Sequence, residues 1–359
     1  MTSSYTSKAH EVSAEKKARI KTSKANKERV EQQKGKQTGD TSKVSVNKKG
    51  LYYLSSSEIA KRLKNTSSNK VKNLIKRNQL LLSNNGKKVA YLAADKNSGI
   101  YFYGEDIDSI YTDENIYYLK KGDALTMEIV KGEGPEPATG NETFTEMIHF
   151  EEDKYSRISL FDDPESDFWF WDYIISGGSE DNRTFTPHTD GVASTSDDAT
   201  LKVYLHGATY THHHLDVSLN GKDIGGGQWD STNAHELTLS FSQDLLNDGD
   251  NTIKITGVLD SGVPYSIFYI DSFDLSYKRN YQAVDNMLTL SGDGNSVVTI
   301  KGFTNENIVL FDITDSGKPK LINATTIDKV KGSYQISFSP ESKDSIYLAL
   351  TEDAKGSPF

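Results

Sequence analysis

The chain has 359 residues and a mass of 39.9 kDa, which is too long for one small domain and fits two or three compact units. Only 35% of the residues are hydrophobic, so at least one segment is expected to stay unfolded. The absence of cysteine excludes disulfides, thiolate metal sites and a cysteine nucleophile within this chain. No apolar run reaches the roughly 18 residues that a membrane helix needs, and residues 1–30 lack the apolar region of a secretory signal.

Charge is divided unevenly along the chain. Residues 1–90 hold 22 Lys and Arg against 6 Asp and Glu, whereas residues 91–359 hold 19 and 45. The start of the chain mixes Lys with Ser, Thr, Gln and Asn and has few large apolar side chains, which predicts a disordered basic leader over residues 1–43. Such an arm could bind nucleic acid, but a solvated charge run is the more common case, and we do not expect a nucleic-acid partner.

Residues 44–130 predict a small β-rich module with one short helix. Ile59 and Leu63 recur at helical spacing and mark the apolar face of that helix. Asn85-Gly86 separates two apolar runs, as in a β-hairpin with a tight turn. Further aromatic runs after the hairpin predict two more strands.

The remaining chain predicts a larger all-β region. Residues 131–142 are rich in Gly and Pro without periodicity, which indicates an exposed linker. Residues 143–281 contain many short runs of alternating polarity with Gly, Asn and Asp between them, which favours an antiparallel β-sandwich of the jelly-roll or immunoglobulin type. Residues 282–359 add a further short β segment. The fold class predicted for the whole chain is therefore mainly β.

Several phrases, taken in their order along residues 44–351, carry a family likeness. They are Gly50–Leu54, Leu80–Val89, Tyr101–Leu119, Tyr210–Gly221, Leu245–Ile255 and Ile308–Pro319. Their order resembles the non-catalytic N-terminal region of gingipain-like cysteine peptidases. In that family the catalytic His and Cys lie on a caspase-like α/β domain, which would come downstream of Phe359, so no catalytic residue is assigned in this chain.

The resemblance implies a non-enzymatic role. It implies an accessory or pro-region that packs on a catalytic peptidase domain, in cis or in trans, and aids its folding, latency or substrate approach. It also implies a secreted or cell-surface protein. The alternative is a glycan-binding or surface-adhesion sandwich, which the aromatic residues favour.

Three tryptophans are candidate ligand-binding residues, because aromatic faces stack on the apolar faces of sugar rings. They are Trp169, Trp171 and Trp229, of which Trp229 follows Gly225–Gly227 and is expected on an exposed loop. Strand alternation puts Trp169 and Trp171 on one face, so burial between two sheets explains that pair at least as well.

His212, His213 and His214 form the most conspicuous polar cluster. Alternation along a strand allows only His212 and His214 to face the same side and share a metal. Two ligands make a weak site, and a strand edge that leads into Leu215–Leu219 is the simpler interpretation.

No cofactor is predicted. Asp and Asn crowd the segments 162–163, 181–182, 197–198 and 247–251, and oxygen-rich loops can chelate calcium. None of these segments matches an EF-hand, and turn chemistry accounts for most of them, so a structural calcium ion is not favoured. The sequence has no Gly-x-Ser-x-Gly elbow and no phosphate-binding loop.

Overall fold

The computed structural model describes residues 41–107, 112–138, 142–157, 160, 168–323 and 325–359. Antiparallel sheets dominate, which confirms the predicted mainly β fold. Spatial contacts divide the chain into two units. The described part of the first comprises residues 41–107, 112–130, 315–321 and 355–359, and the second is built from residues 131–314 and 322–354.

The division of the chain into the five segments predicted from the sequence remains a prediction. Most of the predicted leader lies outside the described residues. The prediction that residues 41–43 are disordered is wrong, because these residues begin a strand that pairs along its whole length. Within the predicted linker, residues 139–141 also lie outside the described part of the chain. Residues 315–321 and 355–359 belong to the first unit by contact, an association that linear order does not reveal.

The described part of the first unit contains two helices where one was expected. Its elements are β1 (Thr41–Val46), β2 (Gly50–Ser55), α1 (Ser56–Arg62), α2 (Ser68–Lys76), β3 (Leu80–Asn84), β4 (Lys87–Lys88), β5 (Tyr91–Ala93), β6 (Gly99–Gly104) and β7 (Asn115–Lys121), followed by β8 (Glu128–Lys131). Two antiparallel sheets have the orders β1-β7-β3-β4 and β2-β6-β5. The Asn85-Gly86 hairpin is present, with both residues at positive φ.

Capping residues set where the two helices begin. Ser55 and Glu58 form a capping box at the start of α1, and the Ser67 hydroxyl caps α2. Val71 and Ile75 of α2 are buried in the core of this unit. A hydrogen bond of 2.9 Å joins the hydroxyls of Ser56 and Ser68, so the two helices lie side by side.

The described strands between Thr143 and Asn280 form two antiparallel sheets, which is consistent with the predicted β-sandwich. The strands are β9 (Thr143–Glu151), β10 (Tyr155–Ser156), β11 (Trp169–Phe170), β12 (Asp172–Ile175), β13 (Asn182–Phe185), β14 (His188–Thr189), β15 (Asp198–Gly207), β16 (His212–Leu219), β17 (Lys222–Asp230), β18 (Ala234–Ser242), β19 (Gly249–Asp250), β20 (Ile253–Val258) and β21 (Ile267–Asn280). One sheet has the order β12-β21-β15-β18, with β9 also paired to β21, and the other has the order β13-β20-β16-β17. Alternate residues of both sheets meet in one apolar core.

The last part of the chain forms a smaller β structure with its own core. Its strands are β22 (Met287–Ser291), β23 (Val298–Phe303), β24 (Ile308–Asp312), β25 (Lys320–Asn323), β26 (Thr326–Val330), β27 (Ser333–Phe338) and β28 (Ile346–Thr351). β28 lies between β22 and β24, and β27 lies between β23 and β26. Phe144 of β9 enters this core and stacks on Tyr281 at a centroid distance of 4.9 Å. In the described part of the chain, no helix is long and apolar enough to cross a membrane.

Candidate functional site

The three consecutive histidines begin β16, and alternation sends them to opposite faces of its sheet. His213 is fully buried, whereas His212 and His214 are partly exposed on the other side. His212 and His214 therefore lie on the same face of the sheet, as the alternation of a strand requires.

His213 is a structural residue of the sandwich interior. Its Nδ1 lies 2.8 Å from the Ser266 hydroxyl, and its Nε2 lies 3.2 Å from the Thr209 carbonyl and 3.1 Å from the Ser231 carbonyl. Two carbonyl acceptors require Nε2–H to donate, so Nδ1 accepts from Ser266. Burial lowers the pKa of His213, which keeps it neutral. A Cβ added at Gly207 would lie 2.7 Å from Nε2 and 2.0 Å from the Ser231 carbonyl oxygen, so only glycine fits beside this network.

His212 and His214 share one carboxylate, that of Asp260. His214 Nδ1 lies 3.0 Å from Asp260 Oδ1, and His212 Nε2 lies 3.6 Å from Asp260 Oδ2. His212 Nδ1 is also 2.8 Å from Asp230, and this hydrogen bond is the main cause of the raised pKa of His212. Asp260 comes from the turn after β20, which the sequence did not associate with the histidines. Across the described residues, no three His, Asp or Glu side chains are arranged to hold a metal ion.

Four exposed apolar side chains surround this end of the sandwich, which we call the open end. They are Ile175, Tyr210, Leu259 and Tyr265, with exposed fractions of 37%, 86%, 38% and 53%. Backbone bonds bring their loops together, because Ser176 N–H donates to the Ser266 carbonyl and Ala208 N–H donates to the Ile267 carbonyl, both at 2.9 Å. The open end therefore combines exposed aromatic rings with the His212, His214 and Asp260 side chains.

The structure places Trp229 in the core rather than on an exposed loop. It lies in β17 with 8% of its surface exposed. Its ring stacks on His235 at 4.9 Å with an interplanar angle of 4° and meets Phe268 edge-on at 5.2 Å. The expected loop position is wrong because residues 225–230 pair in continuous register with β16, so Trp229 lies within a strand.

Trp169 and Trp171 are half-buried, with buried Phe170 between them. Trp171 packs edge-on against Phe185 and Phe273, at 4.7 and 5.5 Å, and so borders the sandwich core. Trp169 lies in the short β10–β11 pair opposite Ser156. A ligand-binding role for the three tryptophans stays a prediction, as does a metal-binding role for His212 and His214.

A second polar array, which the sequence analysis missed, lies on the β9–β21–β15 side of the sandwich. His149 contacts Asp274 at 2.7 Å and Glu151 at 3.0 Å, and the Tyr204 hydroxyl donates to the other oxygen of Asp274 at 2.8 Å. His149 and Glu151 are two residues apart on one strand face, and that spacing is the signal that could have indicated part of the array.

The Asp- and Asn-rich loops are occupied by turn and cross-loop hydrogen bonds. Asp248 accepts the Gly191 N–H at 2.7 Å, and Asp250 contacts His188 at 2.7 Å. The Asn251 amide donates to the Thr189 hydroxyl at 2.9 Å and to the Gly249 carbonyl at 3.1 Å. These partners agree with the interpretation of residues 247–251 as turn chemistry, and segment 162–163 lies outside the described residues.

Comparison with known proteins identifies a likeness of fold. Dimeric latent PorU from Porphyromonas gingivalis superposes with a TM-score of 0.63 and 12% identity over 89% of this chain and 32% of the PorU chain. The chain thus spans about a third of the length of PorU. The carbohydrate-binding module CBM36 in complex with calcium and xylotriose matches 28% of this chain and 77% of its own, with 16% identity and a TM-score of 0.22. No protein-family model and no curated protein matches the sequence.

Proposed function

We propose that this chain is a non-catalytic accessory or pro-region of a gingipain-like cysteine peptidase. The observation that carries the proposal is the fold likeness to latent PorU, which extends over 89% of this chain but only 32% of PorU. The chain contains no cysteine, so the peptidase nucleophile would come from a catalytic domain in cis or in trans. In this role the chain aids folding, latency or substrate approach, in a secreted or cell-surface setting.

The open end is the surface that best fits such a partner. Exposed apolar patches with a polar rim mark protein interaction sites, and tyrosines are enriched among the residues that dominate interface energies. Tyr210 and Tyr265 supply rings that are 86% and 53% exposed. Asp230 and Asp260, held by His212 and His214, supply an acidic rim. A basic edge on the catalytic domain would complete the contact.

The test mixes the full chain with a separately produced gingipain-like catalytic domain. Calorimetry measures the affinity of the two proteins, and a fluorogenic peptide substrate measures the turnover of the catalytic domain. We expect binding with altered turnover, and we expect Y210A/Y265A to weaken affinity at least about tenfold, as for truncated interface hot spots. The matched control is I327A/V330A, which truncates two residues that are 38% and 41% exposed elsewhere.

The outcomes separate the role from the surface. If the wild-type chain neither binds the catalytic domain nor changes its turnover, the proposed function is wrong. If both double variants bind as well as the wild type, the accessory role stands and the open end is not the contact surface.

A glycan-binding function is the second candidate, and the exposure of Tyr210 favours it. An 86% exposed ring close to the hydrogen-bonding groups of His212 and Asp260 could stack on a sugar and bind its hydroxyls. A glycan screen with the wild-type chain and Y210A tests this function. Sugar binding that is lost in Y210A, without any effect of the chain on peptidase turnover, would favour this candidate over the first.

A further inference from the structure

The two helices of the first unit carry a concentrated positive charge that the proposed function does not use. Seven cationic residues lie between positions 61 and 77, and we call them the basic helix surface. They are Lys61, Arg62, Lys64, Lys70, Lys72, Lys76 and Arg77. The sequence has no Asp or Glu from Ile59 to Ala94, so no acidic residue of this segment offsets their charge.

In the described part of the chain none of these cations forms a salt bridge, although the Glu58 carboxylate acts on Lys61 and Arg62 at longer range. Glu58, the one acidic residue of α1 and α2, is bonded to Ser55 in the capping box. The Lys70 ammonium donates to the Asn65 carbonyl at 3.5 Å. By contrast, Arg183 and Arg279 of the sandwich pair with Asp172 and Glu146 at 2.9 and 3.2 Å. The helix cations therefore lack the close ion pairs that these two arginines form.

Helix geometry directs the charges outward on both helices. In α2, Val71 and Ile75 are buried, while Lys70, Lys76 and Arg77 are exposed. In α1, Ile59 is buried and Lys61 is exposed. Since the Ser56–Ser68 hydrogen bond joins the first residues of the two helices, their exposed cations lie on adjacent elements of one unit. Closely spaced like charges repel one another, and a bound polyanion would relieve that repulsion.

We propose that the basic helix surface binds an anionic polysaccharide, recognised through its sulfate, phosphate or carboxylate groups. Five of the seven residues are lysines. A lysine ammonium acts as a point charge and lacks the planar guanidinium group with which arginine forms two hydrogen bonds to guanine. No large apolar side chain is exposed among residues 41–104. The surface therefore lacks the aromatic platforms of single-strand binders and the apolar anchor of membrane-surface helices.

The overall charge favours a flexible polyanion over duplex DNA. The chain carries a net charge of −10, and 45 of its acidic residues follow position 90. The nine residues of α2 extend over only about 14 Å, whereas a duplex stays stiff over about 150 base pairs. A stiff duplex cannot bend within so short a surface, while a flexible polysaccharide can. This inference goes beyond the proposed function and needs no peptidase.

The test uses the full chain and a fluorescent heparin oligosaccharide as the probe, at low and at high salt. We expect salt-sensitive binding that falls at least about tenfold in K70Q/K72Q/K76Q/R77Q, since counterion release scales with the number of charges neutralised. The matched control, K222Q/K254Q/K331Q/K343Q, removes the same charge from four exposed lysines elsewhere and should bind like the wild type. Thermal melting checks that both variants are folded.

Several results would overturn the proposal. Undetectable heparin binding by the wild-type chain at low salt would do so, and so would an equal loss in the two variants, which would assign binding to overall charge. Unchanged binding in the helix variant would place the heparin site elsewhere, including the basic residues before position 41. Tighter binding of a 20-base-pair DNA duplex, or of vesicles rich in phosphatidylserine, would identify a different class of partner.

Discussion

His149 Nδ1 lies 2.7 Å from the carboxylate of Asp274, although 125 residues separate the two in sequence. The two residues face each other in the β9–β21 register. Glu151 holds the other ring nitrogen at 3.0 Å, and the Tyr204 hydroxyl donates to the second oxygen of Asp274 at 2.8 Å. One imidazole between two carboxylates joins neighbouring strands of the sandwich.

The first prediction concerns the pH range of this array. Burial disfavours the charged imidazole, but the hydrogen bonds that it donates to Glu151 and Asp274 outweigh burial and raise the pKa of His149 above 6.5. The pKa of Asp274 is lowered because hydrogen bonds from His149 and Tyr204 outweigh its burial. The charged His149 should therefore stabilise the fold fully below the ordinary His pKa, and this stabilisation should be lost as pH rises through the raised pKa of His149. The contribution of Asp274 should be lost at acidic pH, when its carboxylate is protonated.

Imidazole NMR titration measures this shift residue by residue. In D274N the pKa of His149 should move back toward its ordinary value. Since the His149 side chain is 46% exposed, the change in unfolding free energy should be under about 1 kcal/mol. His188, which pairs with Asp250, is the internal control and should titrate as in the wild type. A pKa for His149 at or below 6.5 would contradict this account of the array.

The second prediction separates adjacent histidines by burial. H213A should lower the unfolding free energy by about 3 kcal/mol, because it opens a cavity and leaves the Ser266 hydroxyl and two carbonyls without their buried partner. H212A removes a partly exposed pair and should cost under about 1 kcal/mol. Urea unfolding of both variants measures the difference. Equal losses would mean that His213 is not the core residue that its contacts indicate.

A pH test follows from the same histidine. Burial lowers the pKa of His213, so folding favours its neutral form, and stability should fall as pH drops below the ordinary His value. This slope has the opposite sign to that of His149. NMR should therefore show His213 titrating below 6.5 while His149 titrates above it, and a shared value would rule out the two environments.

The third prediction concerns Trp229. W229A should destabilise the chain by about 3–5 kcal/mol, as large-to-small core substitutions do, because the ring packs on His235 and Phe268. Urea unfolding gives this value, with Y210A as the matched control, since an 86% exposed ring should change stability by under about 0.5 kcal/mol. A stable W229A that loses sugar binding would instead make Trp229 a ligand-binding residue.

The fourth prediction tests metal binding by His212 and His214. If His212 and His214 bind zinc, calorimetry should show a site that is lost in H212A and in H214A. Affinity should fall as pH drops, because the raised pKa of His212 lets protons compete with the metal. H188A removes another surface His paired with Asp residues and should leave the site intact. Equal zinc binding by the wild type and all three variants would exclude a site here.

Much of the fold could be predicted because it depends on local pattern. Alternation in Leu201–Leu205 and Leu215–Leu219 indicated strands with one buried face, and both segments are strands. The Asn85-Gly86 turn was equally local. The second helix was missed although Val71 and Ile75 recur at helical spacing, since a nine-residue helix with a single pair of buried residues is a weak signal.

The sequence by itself determined that this is a mainly β chain without a cysteine nucleophile, and that His212 and His214 share a strand face, because these properties depend on composition and on the two-residue period of a strand. Only the tertiary structure brought Asp260 to those histidines and Asp274 to His149, and only it placed Trp229 in the core. Contacts between residues that are distant in sequence arise when sheets pair and pack. No local pattern of side chains specifies which distant residue will be the partner.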